Sequence, residues 1–205
     1  MLKRNVFNKP IIFFCACIFS VFLVGDRLQA SNRSGDTKPT AMPEYLVKAG
    51  MLYHFAKFTK WPKTSFENSD APVKFCVIGE DPFGPDLDSL VKYQIHGRDI
   101  MTLRLRSVRH AGACHLLFVS RSETGRLLSI IKSLARRPVL TISDIQDFAS
   151  RGGIIFLKLS GSHVRFEINT GVAQGAGLSF SSKLLTLAEI ILGRINKNRF
   201  STPSN

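Results

Sequence analysis

The chain has 205 residues, 44% of them hydrophobic, and its Lys and Arg outnumber Asp and Glu to give a net charge of +13. That length suits about one domain with a substantial core, and the apolar share excludes an intrinsically disordered chain. A basic excess of this size calls for acidic partners, nucleic acid being the first class to weigh.

The N-terminus argues against nucleic acid. Lys3, Arg4 and Lys9 precede an apolar run from Ile11 to Gly25, and Leu28-Gln29-Ala30 ends on a small residue. A basic start, an apolar middle and a small-residue end form the pattern of a secretory signal, so residues 1–30 are read as one. The run is shorter than the roughly 20 residues a membrane-spanning helix needs. Without that segment the balance is 24 basic against 14 acidic residues, or +10. For an exported chain, acidic lipid headgroups or an acidic protein are the better partners. Cys15 and Cys17 leave with the signal. Cys76 and Cys114 remain, an even pair in an oxidising compartment with no zinc-ligand spacing around them, and a disulfide is expected. On the chain-entropy model it contributes about 4 kcal/mol.

Residues 31–42 are Ser, Asn, Gly, Asp, Thr and Pro in the main and read as a linker. Pro43-Glu44 opens a helix predicted to run to Lys60, with Trp61 before Pro62 as its natural end. Tyr45, Ala49, Leu52, Ala56 and Thr59 make one apolar stripe. Val47, Met51, His54, Phe58 and Trp61 make a second, on nearly the opposite side. A surface helix carries one such stripe, so this helix is expected to be sandwiched or to meet another chain.

Val73–Ile78 reads as a strand, followed by the turn Gly79–Gly84 and a helix over Asp86–Val91. Neither G-x-G-x-x-G nor G-x-x-x-x-G-K-[ST] is present, and Pro82 and Pro85 remove donors a phosphate would need. Glu80-Asp81 sits just after a strand end, where α/β proteins place ligand sites, although a turn-and-cap role is the preferred reading. Strands follow at Ile100–Leu105, Cys114–Val119 and Val139–Ile142. Ser120-x-x-Glu123 and Ser143-x-x-Gln146 are capping boxes, and Gly152 a helix C-cap. The intervening helix turns Leu127, Ile131 and Leu134 inward. This alternation predicts an α/β fold, a single Rossmann-like domain over 43–193. Its sheet is mostly parallel, with helices on both faces.

Ile154–Leu159 and His163–Ile168 flank Gly161-Ser162, which suits a type II′ hairpin turn. The register then pairs Leu159 with Val164, Leu157 with Phe166 and Ile155 with Ile168 on a core face. On the other face Lys158 opposes Arg165 and Phe156 opposes Glu167. Opposed like charges are destabilising, so Glu167 or a group outside the hairpin must offset them. Gly171, Gly175 and Gly177 read as a loose turn before a helix from Ser181 to Leu192 that carries Leu184, Ala188 and Ile191 inward. Residues 194–205 read as a tail.

No G-x-S-x-G elbow or H-E-x-x-H motif occurs, and the histidines at 54, 96, 110, 115 and 163 are never spaced i, i+4. No catalytic residue, metal or cofactor is therefore assigned.

Several blocks, in order, resemble the YfiR family of periplasmic regulatory proteins. They are Pro43-Glu44-Tyr45 through Lys48-Ala49, Tyr53–Phe58 with Trp61-Pro62, and Phe75–Gly84. Cys114–Ser120, Arg137–Val139, Ser143-Asp144, Phe148-Ala149 and Gly152-Gly153 follow, then Val164–Asn169 and Ser181–Leu185. The resemblance spans about 43–192. It implies a non-enzymatic protein that binds the periplasmic part of an inner-membrane diguanylate cyclase and represses it, lowering cyclic-di-GMP and biofilm formation. An outer-membrane lipoprotein relieves that repression by capturing the repressor. Other members neighbour sensor kinases or outer-membrane receptors, so another membrane sensor is an alternative partner. Some members hold two disulfides; this chain has cysteines for one. The residues assigned to partner binding are His54, Phe58 and Trp61, with Lys158, Arg165 and Glu167. A second copy of the chain is an alternative occupant of the same surface. The alternative function is a periplasmic small-ligand sensor with its pocket near Glu80-Asp81.

Overall fold

The computed structural model describes residues 43–161 and 163–193. The segments expected as a signal (1–30), a linker (31–42) and a tail (194–205), and Ser162 of the hairpin turn, lie outside the described residues. Helix α1 covers Glu44–Lys57, and strand β1 Thr59–Lys60. Strand β2 is Val73–Ile78, helix α2 Pro85–Asp88, β3 Gln94–Ile95 and β4 Arg98–Leu105. Then come β5 at Leu116–Val119, α3 at Leu127–Leu134, β6 at Leu140–Ser143, β7 at Ile155–Ser160 and β8 at His163–Asn169. The chain continues through α4 at Thr170–Gly175, β9 at Ser179–Phe180, α5 at Ser182–Leu187 and β10 at Ile190–Leu192.

Eight strands form one sheet in the order β10-β8-β7-β6-β5-β2-β4-β3. The pairs β2–β4, β2–β5, β5–β6, β6–β7 and β8–β10 are parallel; β7–β8 and β3–β4 are antiparallel. This is the expected Rossmann-like α/β arrangement. Side-chain alternation sorts β2 between two cores. Val73, Phe75 and Val77 pack toward α1, while Cys76 and Ile78 pack with α3. Cys76 and Cys114 are bonded, with Cα atoms 6.1 Å apart, and tie β2 to the start of β5.

The hairpin register is the expected one at every pair, from Ile155 with Ile168 to Leu159 with Val164. Gly161 takes φ +60, the left-handed conformation that the first turn position needs. Burial fades toward the tip, however. Leu157 is buried on the core face, whereas Leu159 is 53% exposed. Phe156, on the opposite face, is buried in the α3 core rather than solvated.

Four expectations are corrected. First, α1 stops at Lys57, three residues early. Thr59 and Lys60 pair with Phe180 and Ser179, and the buried Thr59 hydroxyl donates to Phe55 O at 2.7 Å, drawing the chain out of the helix. Second, the segment expected as a helix to Leu192 ends at Leu187, and Ile190–Leu192 pairs with β8. The open edge of β8 offers backbone partners, and branched Ile190 and Ile191 suit a strand. Third, the glycine-bearing turn holds α4, capped by Asn169 Oδ1, which accepts from Val172 N at 3.0 Å. Fourth, neither capping box forms. Ser120 makes no side-chain cap and leads into a 3-10 turn. The Ser143 hydroxyl donates to Val119 O at 2.6 Å and accepts from Ile145 N at 3.0 Å, starting a turn rather than a helix. Gly152 does take a positive φ, +101.

Candidate partner-binding site

The second stripe of α1 contributes to an apolar groove. Met51, His54, Phe55 and Phe58 recur at three- and four-residue spacing, so they share one side of the helix. Phe166 of β8 floors the groove, and Leu184 and Leu187 of α5 close it, around about 380 Å³. Phe55 and Phe166 meet edge to face at 4.9 Å, and the His54 and Phe58 rings lie 6.4 Å apart, nearly parallel. Phe55 and Leu184 are buried and anchor the groove in the core; Phe58 is half-buried. Leu187 is 69% exposed, a large apolar residue turned to solvent. An exposed aliphatic side chain at the mouth of an apolar groove gains apolar burial when something covers it.

Of the sequence-assigned residues, the groove collects His54 and Phe58. Trp61 lies elsewhere, because β1 redirects the chain. Its Nε1 donates to His115 O at 3.1 Å, and it lines a separate cavity of about 310 Å³ with Phe66, His96 and Arg98. Lys158, Arg165 and Glu167 sit together on the hairpin, away from the core face. Lys158 Nζ lies 2.8 Å from Glu189 Oε2 and 3.8 Å from Glu167 Oε1, and Arg165 lies 3.8 Å from Glu189. Hydrogen bonding to Glu189 raises the Lys158 pKa, and Lys158 lowers that of Glu189. Glu189, from the turn before β10, is the group outside the hairpin that answers the opposed charges. Sequence reading missed Phe166, Leu184 and Leu187 as groove residues. Leu184 and Leu187 stand three apart, a helical signal that was legible; that Phe166 lies beneath them was not.

At the other end of α1 a buried ionic cluster joins the helix to the end of β6. Lys48 is fully buried and pairs with Glu44 and with Asp144, at 2.6 Å for the latter. Tyr45 OH donates to the same Asp144 oxygen at 2.9 Å, and Arg121 approaches it at 3.3 Å. Burial first, and then the bond to Asp144, pushes the Tyr45 pKa up to about 12. Such a phenol keeps its proton at neutral pH, so this cluster reads as a tether. Asp81 is similarly engaged: Oδ1 accepts from Phe83 N at 2.8 Å and Oδ2 from Arg104 Nε at 2.8 Å. Among the described residues no cluster of His, Cys, Asp and Glu could hold a metal ion. No described helix is long and apolar enough to cross a membrane.

The described residues thus form a Rossmann-like domain with a partly open apolar groove on one flank. The chain belongs to the YfiR/HmsC-like family, whose model matches residues 45–189. That family is regulatory and periplasmic in general. The chain is also similar to two solved structures. One is a conserved domain protein from Vibrio cholerae O1 biovar El Tor, with TM-score 0.48 and 11% identity, covering 73% of this chain and 60% of that one. The other is an ABC domain from Streptococcus pneumoniae in complex with L-Trp, with TM-score 0.43 and 9% identity, covering 58% and 55%. This chain thus spans about three fifths of the length of the first.

Proposed function

We propose that the chain is exported by its N-terminal signal and acts in the periplasm as a non-enzymatic repressor. It binds the periplasmic portion of an inner-membrane diguanylate cyclase and holds cyclic-di-GMP synthesis down. The observation that carries this reading is the groove of Met51, His54, Phe58, Phe166 and Leu187, partly open in a chain of a regulatory family. An apolar centre with aromatic walls is the make-up of a contact hot spot. An outer-membrane lipoprotein would relieve repression by taking the same surface.

The test is affinity purification of the tagged chain from detergent-solubilised inner membrane, with cyclic-di-GMP measured in cells lacking the gene. A diguanylate cyclase should co-purify, and cyclic-di-GMP should rise on deletion and fall on re-expression. Unchanged cyclic-di-GMP on deletion, with no membrane enzyme recovered, would overturn the proposal.

A further inference from the structure

A second concavity shares no lining residue with the groove and draws its walls from both core clusters. It opens between the end of α3 and α4, over the starts of β6 and β7, with a volume of about 260 Å³. Its walls are apolar: Ile131, Leu134, Val139, Ile154 and Val172 among them. Two arginines, Arg136 and Arg137, stand in its lining. Neither guanidinium has a hydrogen-bond or ion-pair partner among the described residues, and both side chains are exposed.

The backbone here is unusual as well. Arg136 holds φ +62, the left-handed region that glycine occupies without strain and that bulky residues enter at a cost. Residues kept in such conformations cluster where a ligand is clamped. The Arg137 guanidinium packs against Gly112, where an added Cβ would fall 2.3 Å from its Nη1. Two exposed cations, one of them packed on the backbone of Gly112, therefore stand at the rim of a largely apolar cavity.

We propose that this cavity binds a compact amphiphile, its carboxylate held by Arg136 and Arg137 and its hydrocarbon body buried between α3 and α4. A guanidinium suits a carboxylate because its planar fork matches the two oxygens. The apolar walls exclude a fully hydrated anion such as free phosphate. At just under the usual range of about 300–1,000 Å³ for ligand sites, the space suits a short acyl or arylalkyl acid and not a whole lipid. The site touches neither the groove nor Glu80-Asp81, so it stands or falls apart from the repressor reading.

Octanoate is the first probe, titrated calorimetrically into the purified, oxidised chain, with 3-phenylpropionate, octanol and inorganic phosphate alongside. Saturable 1:1 binding of octanoate is expected, at least tenfold tighter than octanol or phosphate. 3-Phenylpropionate in its place would assign the aryl source to the same site. Arg136→Gly relieves the left-handed strain while removing the cation, so the variant should fold and bind at least tenfold more weakly. Arg137→Gln should do likewise, and Arg151→Gln should bind as the parent does. Amide resonances of Gly152 and Ala176 should shift on titration. Octanol binding as tightly as both acids, phosphate binding as tightly, equal binding by the Arg136 and Arg137 variants, or shifts confined to other residues would each overturn the assignment.

Discussion

Lys158 and Glu189 form an ion pair of 2.8 Å that couples the hairpin to the last strand. Glu189 also lies 3.8 Å from Arg165, so one carboxylate serves two cations that face each other across the strands. Glu189→Gln should lower the melting temperature at low salt, and the difference from the parent should shrink in 1 M NaCl, because exposed charges are screened. Its pKa is depressed below the ordinary 4.5 in the folded chain. The contribution is thus present above about that value and lost as pH falls through the lower folded pKa. A melting temperature indifferent to salt and to the substitution would show that the pair contributes nothing.

The groove can be dissected by burial. Leu187 is largely exposed, so Leu187→Ser should change stability by no more than about 0.5 kcal/mol. It should nonetheless weaken partner association by about tenfold or more. Phe58→Ala, at a half-buried site, should cost roughly 2 kcal/mol and also weaken association. Phe55→Ala, fully buried beneath the groove, should cost about 3–5 kcal/mol of stability. Urea melts alongside co-purification of the membrane partner separate these cases. Normal association by a folded Leu187→Ser chain would remove the groove from the proposal.

The Cys76–Cys114 bond closes a loop with a sequence separation of 38 and joins β2 to the segment entering β5. Reduction, or the double Cys→Ser change, should lower unfolding free energy by about 4 kcal/mol. Urea denaturation with and without dithiothreitol measures it. A loss under about 1 kcal/mol would show that the packing of α3 against the sheet carries this region without the bond.

Where two strands are joined by a two-residue turn, the register was legible residue by residue, because turn length fixes which side chains face each other. The parallel strands β2, β4, β5 and β6 were legible too, as apolar runs alternating with helical spacing. The failures that moved site residues are non-local. Phe58-Thr59-Lys60 continues the helical period of α1, and only Ser179 and Phe180, far along the chain, draw it into β1. Extrapolating the helix through that point placed Trp61 on the stripe with Phe58, and in the structure the two line different cavities. Ile190–Leu192 fits a helix or a strand by composition, and the open edge of β8 decides it. Since Glu189 reaches Lys158 only once β10 has docked, the partner of the basic hairpin face could not be read from sequence.

His115 is the titrating group most exposed to consequence. Its Nδ1 accepts from Lys74 N at 3.0 Å, and its Nε2 lies 3.0 Å from Ser65 O, which fixes the neutral ring with the proton on Nε2. Phe66 stacks on it at 4.3 Å. Burial is the main cause that lowers its pKa, with Lys74 and Arg98 adding to it; the bond to Ser65 O and the charge of Glu67 oppose the shift. A second proton would point at the Lys74 N–H and break that bond. The unfolded chain therefore binds the proton more readily. Stability is fully present above about pH 6.5 and declines as pH falls toward the lower folded pKa. Urea midpoints between pH 8 and pH 5 should fall in the parent and fall less in His115→Asn. Equal slopes would assign the acid sensitivity to other groups.

Lys48 is a fully buried cation. Its ammonium and the Asp144 carboxylate are both almost wholly buried, 2.6 Å apart, with Glu44, Tyr45 and Arg121 around them. Desolvating two charges offsets much of their attraction, so the intact pair need not stabilise the fold by much. Removing one partner is a different matter. Lys48→Met leaves Asp144 buried, with Tyr45 and the exposed Arg121 as its remaining partners, and should cost about 3–5 kcal/mol. Lys48→Met with Asp144→Leu removes both charges and should recover a large part of that loss. If the double variant is as unstable as the single one, the cluster is worth more intact than its desolvation costs. The tether between α1 and β6 would then be a net source of stability. Urea denaturation of the parent, both single variants and the double variant measures the coupling directly.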